Sequence, residues 1–383
     1  MAVRWTGGRA RAIAGLAALP HLCFATLLMV ASPGHAQTPG ASFDDEGLAK
    51  QMLEMHIRPG YDLFVKKSTE LKSTLEAACK ARDAKDGDKI RGAFRETVLA
   101  WSRVEHLHFG PVIENNRGER IMFWPDRQNI GDRQMSQIIE KRDPTALTAA
   151  DLQKKSAAVQ GLTALEVLLY GKPAAGLLAD TPDGQFSCGY ATAIGANMAA
   201  IGQEIVAAWA TGGDFANVWL KPGEQNALYK SRGATSLELL KAYRVGLNNI
   251  RDNKLLGPLG LRKLQGGGLV PKSRPPFDLS GLSLATIVAN AEGVLDQFEK
   301  GGFALRMNFD NPNSVAMIQT ELQKAIKIGR EAEAAGTSAF ADGPAAKIAA
   351  LREPLNLAAK LGGDDLEMTV TGKVLGFTDG DGD

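Results

Sequence analysis

Four residues of this 383-residue chain are of the types that hold metals or move protons and sit where they could act together: His56, Glu105, His108 and Glu166. Glu105 and His108 stand three apart. On a helix that spacing puts a carboxylate and an imidazole on one face, where both can reach one ion. The same E-x-x-H spacing serves di-iron bundles, which need two such helices and two further carboxylates; a single copy is present. His56 stands just before Pro59-Gly60, where it could ligate an ion or satisfy a backbone carbonyl left open by the proline. Glu166 lies in the apolar run Leu162 to Tyr170. A carboxylate there needs either a ligand or a cation such as Arg117, Arg120 or Arg127. His106 is offset from the Glu105/His108 face and is expected in solvent.

The elements that must position these groups read as helices. From Gly47 to Arg82 the apolar residues Leu48, Met52, Met55, Leu63, Phe64, Leu71, Leu75 and Ala78 recur at helical spacings, interrupted at Pro59-Gly60, which predicts helix, kink, helix. A second amphipathic stretch runs from Asp88 to about His108 and stops before Gly110-Pro111. The segment from Pro111 to Arg133 has no sustained period and reads as an ordered loop. Helix returns from Ala149 to Tyr170, and further helical runs are expected at Tyr190 to Ala210, Ser236 to Asn249, Ser283 to Phe298, Ser314 to Ala335 and Ala345 to Lys360. Strand-like alternation is nearly absent, so the fold class is all-α, with each helix burying one apolar stripe in a bundle. The Pro/Gly-rich stretch from Gly257 to Pro276 is long enough for a loop to carry function.

Composition and the chain start add boundaries. Arg4, Arg9 and Arg11 precede an apolar run from Ala12 to Ala31 and the small-residue site Gly34-His35-Ala36. That pattern is a secretory signal peptide over 1–36, cleaved after Ala36, and it implies a periplasmic protein. Residues 37–46 read as a disordered linker. Pro20-His21 breaks the apolar run, leaving less than the ~20 residues of a spanning helix. Cys23 departs with the leader, and Cys79 and Cys188 are then expected to pair in an oxidising compartment. Charges nearly balance, at 44 Lys+Arg against 43 Asp+Glu with no long single-sign block, giving no electrostatic support for nucleic acid or a membrane surface as partner.

Several motifs fail on inspection. There is no helical zinc-protease signature and no phosphate-cradling glycine loop. Gly281-Leu282-Ser283 resembles half of a hydrolase nucleophile elbow but opens a helix, which makes Ser283 a helix cap. Asp379, Asp381 and Asp383 alternate like the start of a calcium loop and read as an acidic tail.

Four blocks together resemble the imelysin family, also known as imelysin-like or iron-regulated periplasmic proteins: His56 to Tyr61 with Arg58-Pro59-Gly60, Trp101 to Pro111 with Phe109-Gly110, Arg120 to Arg127 with Phe123-Trp124-Pro125-Asp126, and Gly161 to Gly171 with Glu166. Gly376-Phe377 and Asp379-Gly380-Asp381 resemble that family's end. The resemblance implies two packed helical bundles related by pseudo-symmetry, here 47–175 and 176–383, a cleft near their interface, and a link to iron acquisition. It also implies a G-x-H-x-x-E metal site. Gly161 and Glu166 match that pattern, while Thr163 stands where the His would be.

The resulting expectation is a binding protein for iron, a haem-like ligand or another divalent metal, with His56, Glu105, His108 and Glu166 as candidate metal ligands. Arg58, Arg120, Trp124, Asp126 and Arg127 are the candidate cofactor-binding residues. Two alternatives stay open. One is a non-enzymatic module that meets another cell-envelope protein. The other is a metallopeptidase, whose chemistry needs a water-activating metal and a base, a role that Glu166 alone could fill.

Overall fold

The structure is a computed structural model that describes residues 44–126, 128–264, 266–307, 311–336, 340 and 345–371. The leader 1–36, most of the expected linker, Arg127 and the tail from Gly376 onward lie outside the described residues. Among the described residues the chain is helical and carries no strand, with one isolated bridge between Lys263 and Leu269.

The first helical passage is α1 (Asp45–Met52), a π-helical turn (Leu53–Ile57) and α2 (Arg58–Ala81). The interruption expected at Pro59-Gly60 is this wide turn. Pro59 has no N–H to give to the carbonyl of Met55, and the backbone loosens just before it instead of breaking. Asp44 caps α1 by accepting from Gly47 N–H at 2.9 Å. On α2, Tyr61, Phe64, Leu71, Leu75 and Ala78 form the buried stripe.

α3 (Gly87–Ser102) ends six residues before His108. Val104, Leu107 and Phe109 continue the apolar pattern and are buried, but they do so from turns and extended backbone. The expected loop after Pro111 contains α4 (Arg117–Ile121), an extended run to Asp126 and α5 (Ile130–Lys141). The expected helix from Ala149 to Tyr170 is broken into α6 (Ala149–Leu152), a 3₁₀ turn (Ala157–Val159) and α7 (Leu162–Tyr170). Gly161 makes that break: its φ of +96° is open only to glycine at low cost, and a Cβ there would run into the Arg120 and Ile121 carbonyls.

The remaining helices are α8 (Pro182–Trp209), α9 (Asp214–Leu220), α10 (Ala234–Asn248), α11 (Gly257–Leu259), α12 (Ser283–Glu299), α13 (Phe303–Met307), α14 (Pro312–Ala334), α15 (Ala345–Ala349) and α16 (Arg352–Thr371). A second π-helical stretch (Asn249–Leu256) joins α10 to α11. α2, α3 and α8 pack as one group, and α10, α12, α14 and α16 as another. The first group therefore draws on residues either side of position 176. α12 also crosses α3. At Gly293 the approach is so close that a Cβ would strike the Arg103 carbonyl. One continuous apolar core runs through both groups.

Cys79 on α2 and Cys188 on α8 form the expected disulfide, closing a loop across 109 residues. Ser283 opens α12 without capping it: its side chain accepts no N–H from the helix, and Leu282 holds the cap position. This corrects the reading of Ser283 as a cap. Its carbonyl instead accepts from Thr286 Oγ1 at 2.7 Å.

Candidate functional site: a cleft over Glu166

The sequence elements around Glu166 build a cleft of about 640 Å³. One side comes from the extended run Phe123 to Asp126 and the start of α5. The floor comes from α7, with Thr163, Glu166 and Val167. The other side is the long loop after α11, with Arg262, Lys272 and Arg274. That loop is the Pro/Gly-rich segment that the sequence marked as long enough to be functional.

Glu166 is 5 % exposed. One carboxylate oxygen accepts two hydrogen bonds from Ser280, from N–H at 2.8 Å and from Oγ at 2.7 Å. Burial raises its pKa, because a charge in a dry site loses hydration; the Ser280 hydrogen bonds and the nearby Arg274 charge oppose the rise. Glu166 forms no ion pair among the described residues. Of its expected cationic partners, Arg117 pairs with Glu114 and Glu204 at 3.0 and 2.8 Å, and Arg120 donates to Gln160 Oε1 and Asn197 Oδ1, each at 3.1 Å.

Asp126 and Trp124 join Glu166 on the cleft wall. The Asp126 carboxylate accepts the N–H groups of Ile130 at 2.8 Å and Gly131 at 2.7 Å, which fixes the start of α5. Trp124 precedes a cis peptide bond to Pro125 and donates its indole N–H to the Arg274 carbonyl at 3.3 Å, tying the two sides of the cleft together. Arg274 in turn reaches Asp132 at 3.3 Å.

Behind Trp124 lies a buried polar cluster. Lys254 has no exposed surface; its ammonium pairs with Glu105 at 2.6 Å, donates to Asn290 Oδ1 at 2.8 Å and stands 5.9 Å from the Trp124 ring centroid. Asn290 donates to Glu105 at 3.0 Å and to the Ser102 carbonyl at 2.6 Å. Asn253, next to Lys254 on the π-helical stretch, faces the cleft. A wide turn therefore supplies one residue to the cleft and the next to the cluster behind it, and π-helical insertions of this kind recur at functional sites.

The structure corrects the E-x-x-H reading. Because α3 stops at Ser102, Glu105 and His108 do not share a helix face. Glu105 serves Lys254, and His108 is exposed. His56 is not beside either of them; its Nε2 lies 3.3 Å from Nε2 of His106, with both rings buried. The expectation of a solvated His106 is thereby overturned: it is 7 % exposed, and its Nδ1 has no hydrogen-bond partner among the described residues. Burial lowers the pKa of both rings, that of His56 to about 4. Arg58 is also remote from the cleft, donating to the Trp209 carbonyl at 2.6 Å and to Glu54 at 2.5 Å. Of the named candidates, the structure brings together Trp124, Asp126 and Glu166 in the cleft and Glu105 behind it; His56, His108, Arg58 and Arg120 lie elsewhere.

Ser280, Lys254, Asn290 and His106 were not identified from sequence as members of the site or of a pair. Ser280 and Lys254 meet their partners across 114 and 149 residues, and no local spacing carries that information. Among the described residues no group of three or more His, Cys, Asp or Glu could hold a metal ion. A bare ion held by three protein side chains does not fit this arrangement.

An all-helical protein with a polar-floored cleft, built by α7, the Trp124 segment and one long loop, is the class that these features define. The imelysin family model (peptidase family M75) matches residues 57–355, and the chain belongs to that family. Comparison with curated proteins returns no match. Among solved structures, an imelysin-like protein from Psychrobacter arcticum is similar with a TM-score of 0.72 and 19 % identity, over 88 % of this chain and all of the other. A protein of Parabacteroides distasonis named as an iron-regulated protein A precursor is similar with a TM-score of 0.64 and 14 % identity, over 87 % of this chain and 95 % of the other. At these identities the likeness speaks for the fold.

Proposed function

We propose that this chain is an exported, periplasmic binding protein that takes up iron as a small anionic chelate in the cleft over Glu166. The observation that carries the reading is a carboxylate 5 % exposed, with no ion pair among the described residues, on the floor of a cavity of about 640 Å³. That volume falls within the range of roughly 300–1,000 Å³ typical of small-molecule sites. The donor set supports chelated cargo over a bare ion. Glu166 offers one oxygen ligand, and a hard cation needs several, so the chelator must supply the remainder. Arg262 on the opposite wall offers a cation to the chelator's own carboxylates, next to Lys272 and to Arg274, which is held by Asp132. The name of the Parabacteroides relative associates that protein with iron regulation, in keeping with an iron cargo here. The expected leader, and the finding that no helix among the described residues is long and apolar enough to cross a membrane, accord with an exported protein that does not span the bilayer by a helix described here.

The test is titration of the mature protein with ferric citrate, followed by Trp fluorescence and calorimetry, beside metal-free citrate and ferrous or zinc salts. Saturable binding of the ferric chelate, weakened at least tenfold in Glu166→Gln, is expected. Absence of saturable ferric-citrate binding, or binding indifferent to Glu166→Gln, would overturn the assignment.

A further inference from the structure

Two buried imidazoles lie apart from the cleft and take no part in it. His56 sits on the π-helical turn Leu53–Ile57, and His106 on the turns that follow α3. They are 6 % and 7 % exposed, and each directs its Nε2 at the other across 3.3 Å. The ring centroids are 5.3 Å apart, well beyond the separation of the two nitrogens, so the rings meet tip to tip and do not stack. In this contact one Nε2 carries a proton and the other presents a lone pair. Nδ1 of His106 is buried and finds no partner among the described residues, whichever tautomer the ring adopts. A buried polar group left in that state calls for an explanation, and an ion is one of the few that apply. Wide helical turns such as the one that carries His56 also recur at functional sites.

The number and direction of the donors select the ion. Zinc and ferrous iron want more ligands than two, and among the described residues no group of three or more His, Cys, Asp or Glu could supply them. A closed-shell monovalent cation, Cu(I) or its analogue Ag(I), is satisfied by two nitrogen donors in line. Metal–nitrogen bonds of about 2 Å each span about 4 Å across such an ion, so the rings need to part by less than about 1 Å. Burial keeps both rings neutral, His56 down to a pKa of about 4, and a metal takes imidazole only in its neutral form. At His56 the pull of Asp296 on a positive charge outweighs the push of Lys300, while Gly246 and Val294 pack beside His106. We infer that His56 and His106 form a two-coordinate site for Cu(I), separate from the cleft over Glu166. On binding, the ring that donates in the metal-free pair carries its proton on Nδ1 instead of Nε2. Both Nε2 lone pairs then go to the metal, and there is no net release of protons and no electron transfer. The inference stands whatever the cleft binds.

Anaerobic titration of the mature protein against the coloured bicinchoninate complex of Cu(I) tests it. The protein should withdraw a single equivalent of copper, and Zn(II) salts should not compete. His106→Leu should weaken uptake by more than about a hundredfold, the upper end for losing a group that merely supports a ligand. His108→Gln, which removes an exposed imidazole, should leave uptake unchanged. Ag(I) added to the native protein should shift the Nε2 nitrogen resonances of His56 and His106, a readout that needs no variant to fold. Failure of the native protein to withdraw Cu(I), undiminished uptake in His106→Leu, or His56 and His106 resonances unmoved by Ag(I) would overturn the inference.

Discussion

Acidification should destabilise this protein through one buried pair. His56 and His106 meet Nε2 to Nε2 at 3.3 Å, so one ring donates its N–H and the other must stay unprotonated at Nε2 to accept it, and only one of the two rings can be charged while the contact holds. Their surroundings are apolar and close: Gly246 of α10 abuts the His106 Cβ, and Val294 of α12 lies beside the same glycine. Among charged groups, Asp296 raises the His56 pKa and Lys300 lowers it, and both effects are smaller than that of burial; His56 in turn lowers that of His106. The folded pKa of His56 is about 4 against 6.5 when unfolded. A folded pKa lying below the unfolded one gives stability that is complete above pH 6.5 and drains away as the pH falls toward 4. At about 1.36 kcal/mol per pK unit, His56 alone accounts for a loss of about 2.5 kcal/mol between pH 7.5 and 4.5, and His106 adds to it in the same direction. Urea unfolding at several pH values in that window, on the native chain and on His56→Leu/His106→Leu, isolates the contribution from that of the carboxylates. The double variant should lose at least about 2.5 kcal/mol less than the native chain across the window. Equal losses in the two proteins, or imidazole resonances titrating near 6.5 in the folded state, would refute the reasoning.

Three other perturbations follow from contacts described above. Lys254→Met leaves Glu105 without its cation in a part-buried site and should cost about 3–5 kcal/mol in urea unfolding, with much of the loss restored in Lys254→Met/Glu105→Gln. Cys79→Ser/Cys188→Ser releases a loop of 109 residues, and the unfolding free energy should fall by about 4–5 kcal/mol, while reduction of the native protein should reproduce the loss and leave the variant unaffected. Gly161→Ala forces a side chain into the Arg120 and Ile121 carbonyls at a φ of +96°, so the melting temperature should drop, with a cost of about 2–4 kcal/mol; Gly176→Ala, which meets nothing nearby, serves as its neutral control.

How much of this was legible in the residues differs by distance along the chain. Apolar periodicity located most of the long helices because each buries a stripe, while the shorter α4, α5 and α9 went unforeseen, and Cys79 and Cys188, the two cysteines outside the expected leader, form a disulfide. Periodicity misplaced the end of α3. Val104 and Leu107 are as buried as helical residues would be, so the pattern runs on after the hydrogen-bonded spiral has stopped. That one error generated the E-x-x-H pair. The break at Gly161 was missed for the opposite reason: nothing in an apolar run shows that a glycine in it must take a positive φ. The local block around Trp124 and Asp126 was singled out because a cluster of charged and aromatic residues around a proline has little reason to exist in a plain connection, and it lines the cleft.

What local pattern cannot carry is the choice of partner. Glu105 could have faced a metal, water or a cation, and Lys254, 149 residues onward, decides among them. The same comparison separates Glu166 from Glu105. Both are carboxylates removed from water, yet Glu105 meets a fully buried ammonium, while among the described residues Glu166 is hydrogen-bonded by the N–H and hydroxyl of Ser280 and feels the Arg274 charge without an ion pair. Two neutral donors hold an anion in position without cancelling its charge, whereas an ammonium at 2.6 Å largely does. The carboxylate without an ion pair among the described residues thus sits at the cleft floor and the paired one sits behind Trp124, and on the proposed function it is Glu166 and not Glu105 that meets the ligand. Replacing Ser280 with Ala should therefore raise the Glu166 pKa further, and ferric-citrate binding should then weaken as the pH is lowered from neutral, at higher pH values than in the native chain. A binding profile that does not move in Ser280→Ala would mean that the Glu166 charge plays no part in holding the ligand.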